Sequence, residues 1–294
     1  MDFKEQMTTY RERINKAIHR LLPSPETRPH RLHQAMLYSM NAGGKRLRPM
    51  LALAACDGMG GSPHDPEPAA VSLECLHTYS LIHDDLPAMD DSDLRRGAPT
   101  CHKAYDEATA ILAGDALLTF AFELPAREYR LEPALAAALI ADLADAAGSQ
   151  ALIGGQMEDI LSERSHACSE ETLAYIHRNK TAALIRCSLL FGARLAGAGS
   201  DGLQHAGELG LHLGLAFQLI DDLLDVSQNS QTLGKPAGLD HQNDTATAIH
   251  FFGVEKTREF AREQTRQALQ ACEILPGDLA FLRELIRWME NRIH

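Results

Sequence analysis

Between Ser80 and Gly97 the chain reads SLIHDDLPAMDDSDLRRG, with five aspartates and two arginines beside an apolar run. Carboxylates this close repel one another unless something positive lies among them. His77, Asp84 and Asp91 are spaced by seven, so a continuous helix would align them on one face. Asp85 is rotated from that face. Pro87 is expected to kink or end the helix, which lets Asp90 swing back towards Asp84. Hard oxygen donors on a rigid rim suit Mg²⁺, which keeps waters and bridges to phosphate. The plainer alternative is a solvated helix end whose aspartates cap the next segment. Arg95 and Arg96 weigh against it, because guanidinium forks match phosphate geometry.

A second acidic cluster is FQLIDDLLD, Phe217 to Asp225. Gln218, Asp221, Asp222 and Asp225 fall at i, i+3, i+4 and i+7, one stripe of a helix. Leu219, Ile220, Leu223 and Leu224 fill its other sides. Buried carboxylates without a counter-charge are very costly. A solvated stripe would avoid the cost, but a solvated helix would not be leucine-rich around most of its circumference. A metal site follows, and two such helices read as two walls of one cavity. Histidine ligands at matching spacing are missing, which points to Mg²⁺ rather than iron, manganese or zinc.

Cations are interspersed with these clusters. GGKRLRP, Gly43 to Pro49, places Lys45, Arg46 and Arg48 after two glycines, as an anion cradle or an ordinary basic turn. It is not a P-loop, because the spacing and the terminal Ser/Thr are wrong. HRNKTAALI puts His177, Lys180 and Thr181 on one predicted helical face, and Lys235 follows a turn in TLGKP.

The elements that must position these groups read as helices. Proline is absent from Ala134 to Lys235, a span rich in Ala and Leu, and period-two alternation is nearly missing. The expectation is an all-α single domain over residues 1–294, a bundle of about ten helices. The 294 residues are 45% hydrophobic, enough for a sizeable core. The net charge of −12 argues against generic nucleic-acid binding. The N-terminal stretch lacks a signal-peptide core and reads as an amphipathic helix with Tyr10, Ile14, Ala17, Ile18 and Leu21 near one face. No run is expected to be apolar and long enough to cross a bilayer. Six cysteines without a CxxC pair read as reduced thiols, and the expected location is cytoplasmic.

Together, GGKRLRP, LIHDDLPAMDDSDLRRG, LAGDAL, GGQ, HRNKTAALI, FQLIDDLLD and TLGK resemble the motifs of the trans-prenyltransferases, the short-chain isoprenyl diphosphate synthases, in that family's order. The likeness is strongest to the bacterial farnesyl diphosphate synthases, or geranyltranstransferases. The resemblance implies an all-α fold around a deep central cavity, usually in a homodimer, condensing isopentenyl diphosphate with an allylic diphosphate. Asp84, Asp90 and Asp85 match the first aspartate-rich motif. Asp221, Asp222 and Asp225 match the second. Metal would be held by Asp84, Asp90, Asp221 and Asp225, about three Mg²⁺ with Mn²⁺ as the alternative ion. Arg95, Lys180 and Lys235 match residues holding the allylic diphosphate. Lys45, Arg48, His77 and Arg96 match those holding isopentenyl diphosphate, with Gly44 contributing backbone. Thr181 and Gln218 match polar groups near the developing cation. The catalytic set so implied is Asp84, Asp85, Asp90, Lys180, Thr181, Gln218 and Asp221. Tyr79 and Ser80 stand where the family controls product length, and a bulky Tyr79 should stop growth near farnesyl; a plain core aromatic is the alternative.

The chain also departs from the family. Where relatives read approximately D-x-x-x-G-K-x-T-Y-P, it reads DHQNDTATAI, Asp240 to Ile249. Thr245 stands for a lysine, Asp244 for glycine, Ala248 for tyrosine and Ile249 for proline. A weakly catalytic regulatory partner, a synthase of geranyl or geranylgeranyl diphosphate, and a terpene cyclase are the alternatives. DDLLD is not the cyclases' second metal triad.

Overall fold

The computed structural model describes residues 2–165, 167–233 and 247–291, and the side chains of 225–233 fall outside that description. Asp225 as a side chain, and Lys235, Asp240, Asp244 and Thr245 altogether, therefore lie outside the described residues.

The chain is all-α. Helices α1 (Phe3–Leu21), α2 (His30–Asn41), α3 (Leu47–Gly58) and α4 (Glu67–Asp84) precede a two-residue ladder of β1 (Leu94–Arg95) with β2 (Ala98–Pro99). A single turn α5 (Cys101–Ala104) leads into α6 (Glu107–Glu128), α7 (Pro133–Ala147) and α8 (Leu152–Ser165). Then α9 (Glu170–Ile176) passes through a π-helical segment, His177–Ala182, directly into α10 (Ala183–Leu195). Helices α11 (Ser200–Leu233), α12 (Ala248–Ile274) and α13 (Ala280–Glu290) complete the described chain.

Helix α4 is buried on nearly every side, with Val71, Leu73, Cys75, Leu76, Tyr79 and Ile82 all inside. A helix apolar all round belongs in the centre, and α3, α6 and α1 surround it. Outer helices show one-sided patterns instead. In α13, Leu282, Leu285, Ile286 and Met289 are buried at i, i+3, i+4 and i+7. In α1, Ile14, Ala17 and Ile18 face the core as expected, and Asp2 and Glu5 close a capping box. The six cysteines are free thiols, and all but Cys168 are buried.

One expectation needs correction. Two stretches, Glu107–Glu128 and Pro133–Ser165, are long and apolar enough to cross a membrane by length and composition. Part of their apolar surface is packed in the bundle: α6 buries Ala110, Ala113, Leu117, Ala121 and Leu124, whereas Ile111, Leu112, Ile153, Met157 and Leu161 are exposed. Pro133–Ser165 turns at 148–151 between α7 and α8. Core helices at the centre of a large bundle pass the same compositional test.

Candidate active site

Two loops, five helices and the π-helical segment build the site. Before α3, Gly44 takes a φ of 120°, a conformation that favours glycine. A Cβ there would lie 2.6 Å from Arg96 Cζ. The bare backbone thus seats the guanidinium, which donates to the Gly43 carbonyl. Arg96 and Gly97 form the two-residue loop of the β1–β2 hairpin, with φ of 55° and 80°. That double positive φ is the hairpin turn a right-handed twist favours. It sends adjacent arginines to different partners. Arg96 reaches the Gly43–Gly44 turn. Arg95 grips Asp85, with Nε donating to both carboxylate oxygens at 2.9 Å and Nη2 lying 2.7 Å from Oδ1.

Arg48, on α3, lies with Nη1 3.5 Å from His77 Nε2 on α4. Burial pushes the Arg48 pKa down to about 10. Its Nε is buried with no hydrogen-bond partner among the described residues, a donor that an anion would satisfy. Burial, then the charges of Arg48 and Arg96, hold His77 well below the usual histidine range. The cradle expected from three cations loses one of them. Arg46 takes a φ of 52° and turns inward, donating to Glu74 at 2.6 Å, to Asn15 at 3.1 Å and to the Met40 carbonyl. It is 5% exposed and anchors α3 to α4 and α1. A buried ion pair is tolerable only with its remaining donors satisfied, as here.

Helix α4 ends at Asp84, three residues before Pro87. The chain then folds back, and the Asp90 amide donates to the Asp84 carbonyl at 2.9 Å. Asp91 follows outside the helix, exposed, with a φ of 48°. It does not share a face with His77 and Asp84, because the helix that would align them has already stopped. Burial pushes the Asp84 carboxyl up to about 6; Lys180 pulls against this, while Asp90 adds to it. Asp90 is also raised, again chiefly by burial. Asp85 is 3% exposed, and Arg95 occupies its carboxylate.

The expected face of His177, Lys180 and Thr181 proves to be π-helical, and it splits: His177 and Thr181 both face α11, while Lys180 turns to α8. π-Bulges mark functional sites because they re-aim side chains within a helix. Close backbone approach on two sides accommodates this one. A Cβ at Gly155 on α8 would lie 2.9 Å from Lys180 Cα, and one at Gly214 on α11 would lie 2.5 Å from Ala182 Cα. Gly155 of GGQ and Gly214 of α11 are thus packing surfaces for the bulge. From it, Lys180 pairs with Asp159 of α8. Thr181 donates to Gln218 Oε1 at 2.7 Å, and Gln218 Nε2 donates to Asp222 Oδ1 at 2.9 Å. His177 Nε2 lies 3.5 Å from Asp222 Oδ2, which also accepts the Ala248 amide at 2.9 Å. Asp222, 4% exposed, therefore joins α11, the π-segment and the start of α12. Asp221, half-buried beside it, acts on the charge of Arg48.

Two cavities, of about 600 and 540 Å³, share Arg48, His77 and Thr181 as lining residues. Gly44, Lys45, Arg96 and Gln218 also line the first, as does the Arg46–Glu74 pair. The second carries Asp84 and Lys180, with an apolar wall from Leu118, Leu152, Ile153, Met157 and Ile160. Tyr79 and Ser80 also line it. Ser80 turns its hydroxyl back to the His77 carbonyl at 3.0 Å. Tyr79 is 5% exposed, and its hydroxyl has no partner among the described residues. Burial, then Asp84, pushes its pKa up to about 12.

Reading the sequence missed Asp159, although it lies three residues beyond the Gln156 of the GGQ stretch. Nothing within α8 shows that Lys180 will meet it. Glu163, one turn further on, is raised by burial and by the charge of Asp159. Helix α8 thus adds a third acidic wall.

The donor set fits a hard divalent cation. Asp84 and Asp90 sit side by side at raised pKa, and a metal would relieve both burial and mutual repulsion. Among the described residues no three His, Cys, Asp or Glu side chains form a metal-holding group. An ion on these carboxylates would therefore take further oxygens from phosphate and water, the habit of Mg²⁺.

The polyprenyl synthetase family matches residues 29–279 of the chain. The chain is 44% identical to a chloroplastic geranylgeranyl pyrophosphate synthase of Capsicum annuum over 273 residues, 92% of its own length and 73% of the relative's. It is 42% identical to the farnesyl diphosphate synthase of Geobacillus stearothermophilus, covering 88% of each. The crystal structure of an FPP/GFPP synthase from Zymomonas mobilis superposes with a TM-score of 0.85 at 36% identity, covering 97% of this chain and 98% of that one.

Proposed function

This chain belongs to the polyprenyl synthetase family and is a short-chain prenyltransferase of isoprenoid biosynthesis, and from that premise we propose that its product is farnesyl diphosphate. The observation that carries the site reading is the pair of cavities meeting at Arg48, His77 and Thr181. One offers cations to a diphosphate. The other offers an apolar bed behind Asp84 and Lys180.

In this reading, isopentenyl diphosphate is bound by Lys45, Arg48, Arg96 and neutral His77 over the Gly44 turn. The allylic tail lies in the second cavity. Asp84 and Asp90, together with Asp221 and Asp225, would hold Mg²⁺, which when bound neutralises the departing diphosphate. Lys180, with Arg95 and Lys235, takes up the charge that grows on that leaving group. Thr181 and Gln218, tied together at 2.7 Å, present oxygen dipoles to the allylic cation. The isopentenyl double bond attacks the cation, and a proton leaves to the released diphosphate. The apolar wall keeps water from the cation. No protein nucleophile is needed. We read the whole chain as one domain, acting as a homodimer. The free cysteines support a reducing, cytoplasmic setting.

Tyr79 limits growth in this account. Replacing it with Ala shifts the product beyond farnesyl diphosphate, and an unchanged length removes its role as the floor. The deciding experiment supplies Mg²⁺, isopentenyl diphosphate and, in turn, dimethylallyl, geranyl or farnesyl diphosphate, with product analysis. Elongation should stop at farnesyl diphosphate. Elongation of farnesyl diphosphate itself would support the geranylgeranyl reading, which the 44% identity to the Capsicum annuum enzyme favours. No elongation would point to a regulatory partner. Cyclic hydrocarbons without isopentenyl diphosphate would point to a cyclase.

A further inference from the structure

Tyr79 does not hold its place unaided. Four residues later on α4, His83 meets its ring edge-on, with centroids 5.8 Å apart and planes at 86°. The other side of the imidazole is fastened to α6: His83 Nε2 lies 3.1 Å from the Ile111 carbonyl oxygen. A carbonyl only accepts, so that nitrogen carries the proton and the ring's orientation is set. Asp115 Oδ1 stands 3.9 Å from the same nitrogen. The seat exists because residue 114 is glycine. A Cβ there would lie 2.5 Å from His83 Cδ2 and would collide with Nε2. His83 and Asp115 line the same apolar cavity as Tyr79. The Tyr79 hydroxyl has no partner among the described residues to anchor it.

We infer that His83, seated by Gly114 against α6, is a positioning residue that braces the Tyr79 ring and thereby sets product length. The inference rests on the reading of Tyr79 as the floor of the elongation cavity. An aromatic ring blocks a growing chain only while it stays across the path. On α4 its freedom is rotation about its side-chain bonds, and the i+4 neighbour is placed to oppose that rotation. Replacing His83 with Ala frees the ring, and the ratio of longer products to farnesyl diphosphate rises roughly 2- to 10-fold, the factor that one lost edge-to-face contact represents. Gly114→Ala acts in the opposite direction. It drives the imidazole off α6 towards the ring and the lumen, so the mean product shortens.

The test is a double-mutant cycle on the full chain with Mg²⁺, isopentenyl diphosphate and dimethylallyl diphosphate, reading the product-length distribution. Tyr79→Ala alone lengthens the product. His83→Ala lengthens it when Tyr79 is present and adds nothing in the Tyr79→Ala background, the non-additivity of residues acting through one contact. A shift from His83→Ala that persists in full without Tyr79 would overturn the brace. So would an unchanged distribution in His83→Ala while Tyr79→Ala lengthens the product. If Tyr79→Ala itself leaves length unchanged, the floor reading fails first, and the brace falls with it. Thermal melting of each variant separates folding from specificity. Should Gly114→Ala not fold, the His83 and Tyr79 pair still decides the question.

Discussion

Asp84–Asp85 and Asp221–Asp222 are both adjacent-aspartate pairs at a helical wall, yet within each pair the two carboxylates have different employment. The second member is consumed internally. Asp85 is closed by three contacts from Arg95. Asp222 receives Gln218 and the Ala248 amide and lies beside His177. The first member meets other groups: Asp84 lines the apolar cavity and feels Lys180, and Asp221 acts on the charge of Arg48. Adjacent residues on a helix point about 100° apart, so two neighbouring carboxylates meet different surroundings. The pairs differ in what the inner member organises. Asp85 fixes one hairpin arginine, whereas Asp222 ties three elements together. Similar motif spelling thus conceals a local clamp in one region and a hub in the other.

Asp84→Asn should produce the largest effect on turnover, a loss of roughly 10²- to 10³-fold in kcat/KM, typical of removing one charge-stabilising group. Its effect on stability runs the other way. The folded pKa of about 6 exceeds the unfolded value of 3.8, so the ionised carboxylate costs stability once pH exceeds both. The Asn variant should therefore melt higher than the parent at pH 7.5, and a lower melting temperature would break the comparison. Asp222→Asn should reverse the pattern, losing about 1.5–3 kcal/mol of stability as charge-assisted hydrogen bonds weaken. Urea unfolding measures this, and Asp85→Asn should cost less because Arg95 keeps partial access to water. Equal losses for the two would remove the distinction between hub and clamp. The smallest effect is expected from pH. Mg²⁺-dependent binding of inorganic diphosphate, followed by calorimetry, should weaken about fourfold from pH 7.5 to 5.5 as Asp84, with its pKa near 6, takes up a proton. Asp84→Asn should make that dependence shallower, leaving the part that protonation of diphosphate itself contributes.

Much of this was readable before any coordinates. The proline-free, leucine- and alanine-rich middle announced helices, and Ile14, Ala17 and Ile18 announced which face of α1 would be buried. Pro87 announced the end of α4 and the return of Asp90. Other features were not readable, and each depends on a partner distant in the chain. Arg46 and Arg48 stand two residues apart in one basic motif, but only Arg46 meets Glu74, 28 residues away. Asp159 became part of the site through Lys180, 21 residues later. The π-segment has no periodic signature of its own, since its extra residue is accommodated by the bare backbones of Gly155 and Gly214.

The amino-acid order by itself determined the helical class and supplied the acids and bases the chemistry requires, because periodicity and residue type are local properties. Which carboxylate faces a cavity, which arginine is buried, and what braces Tyr79 were decided only by the packed helices. A charge or a ring takes its role from the group that desolvates or contacts it, and in this fold that group comes from another element.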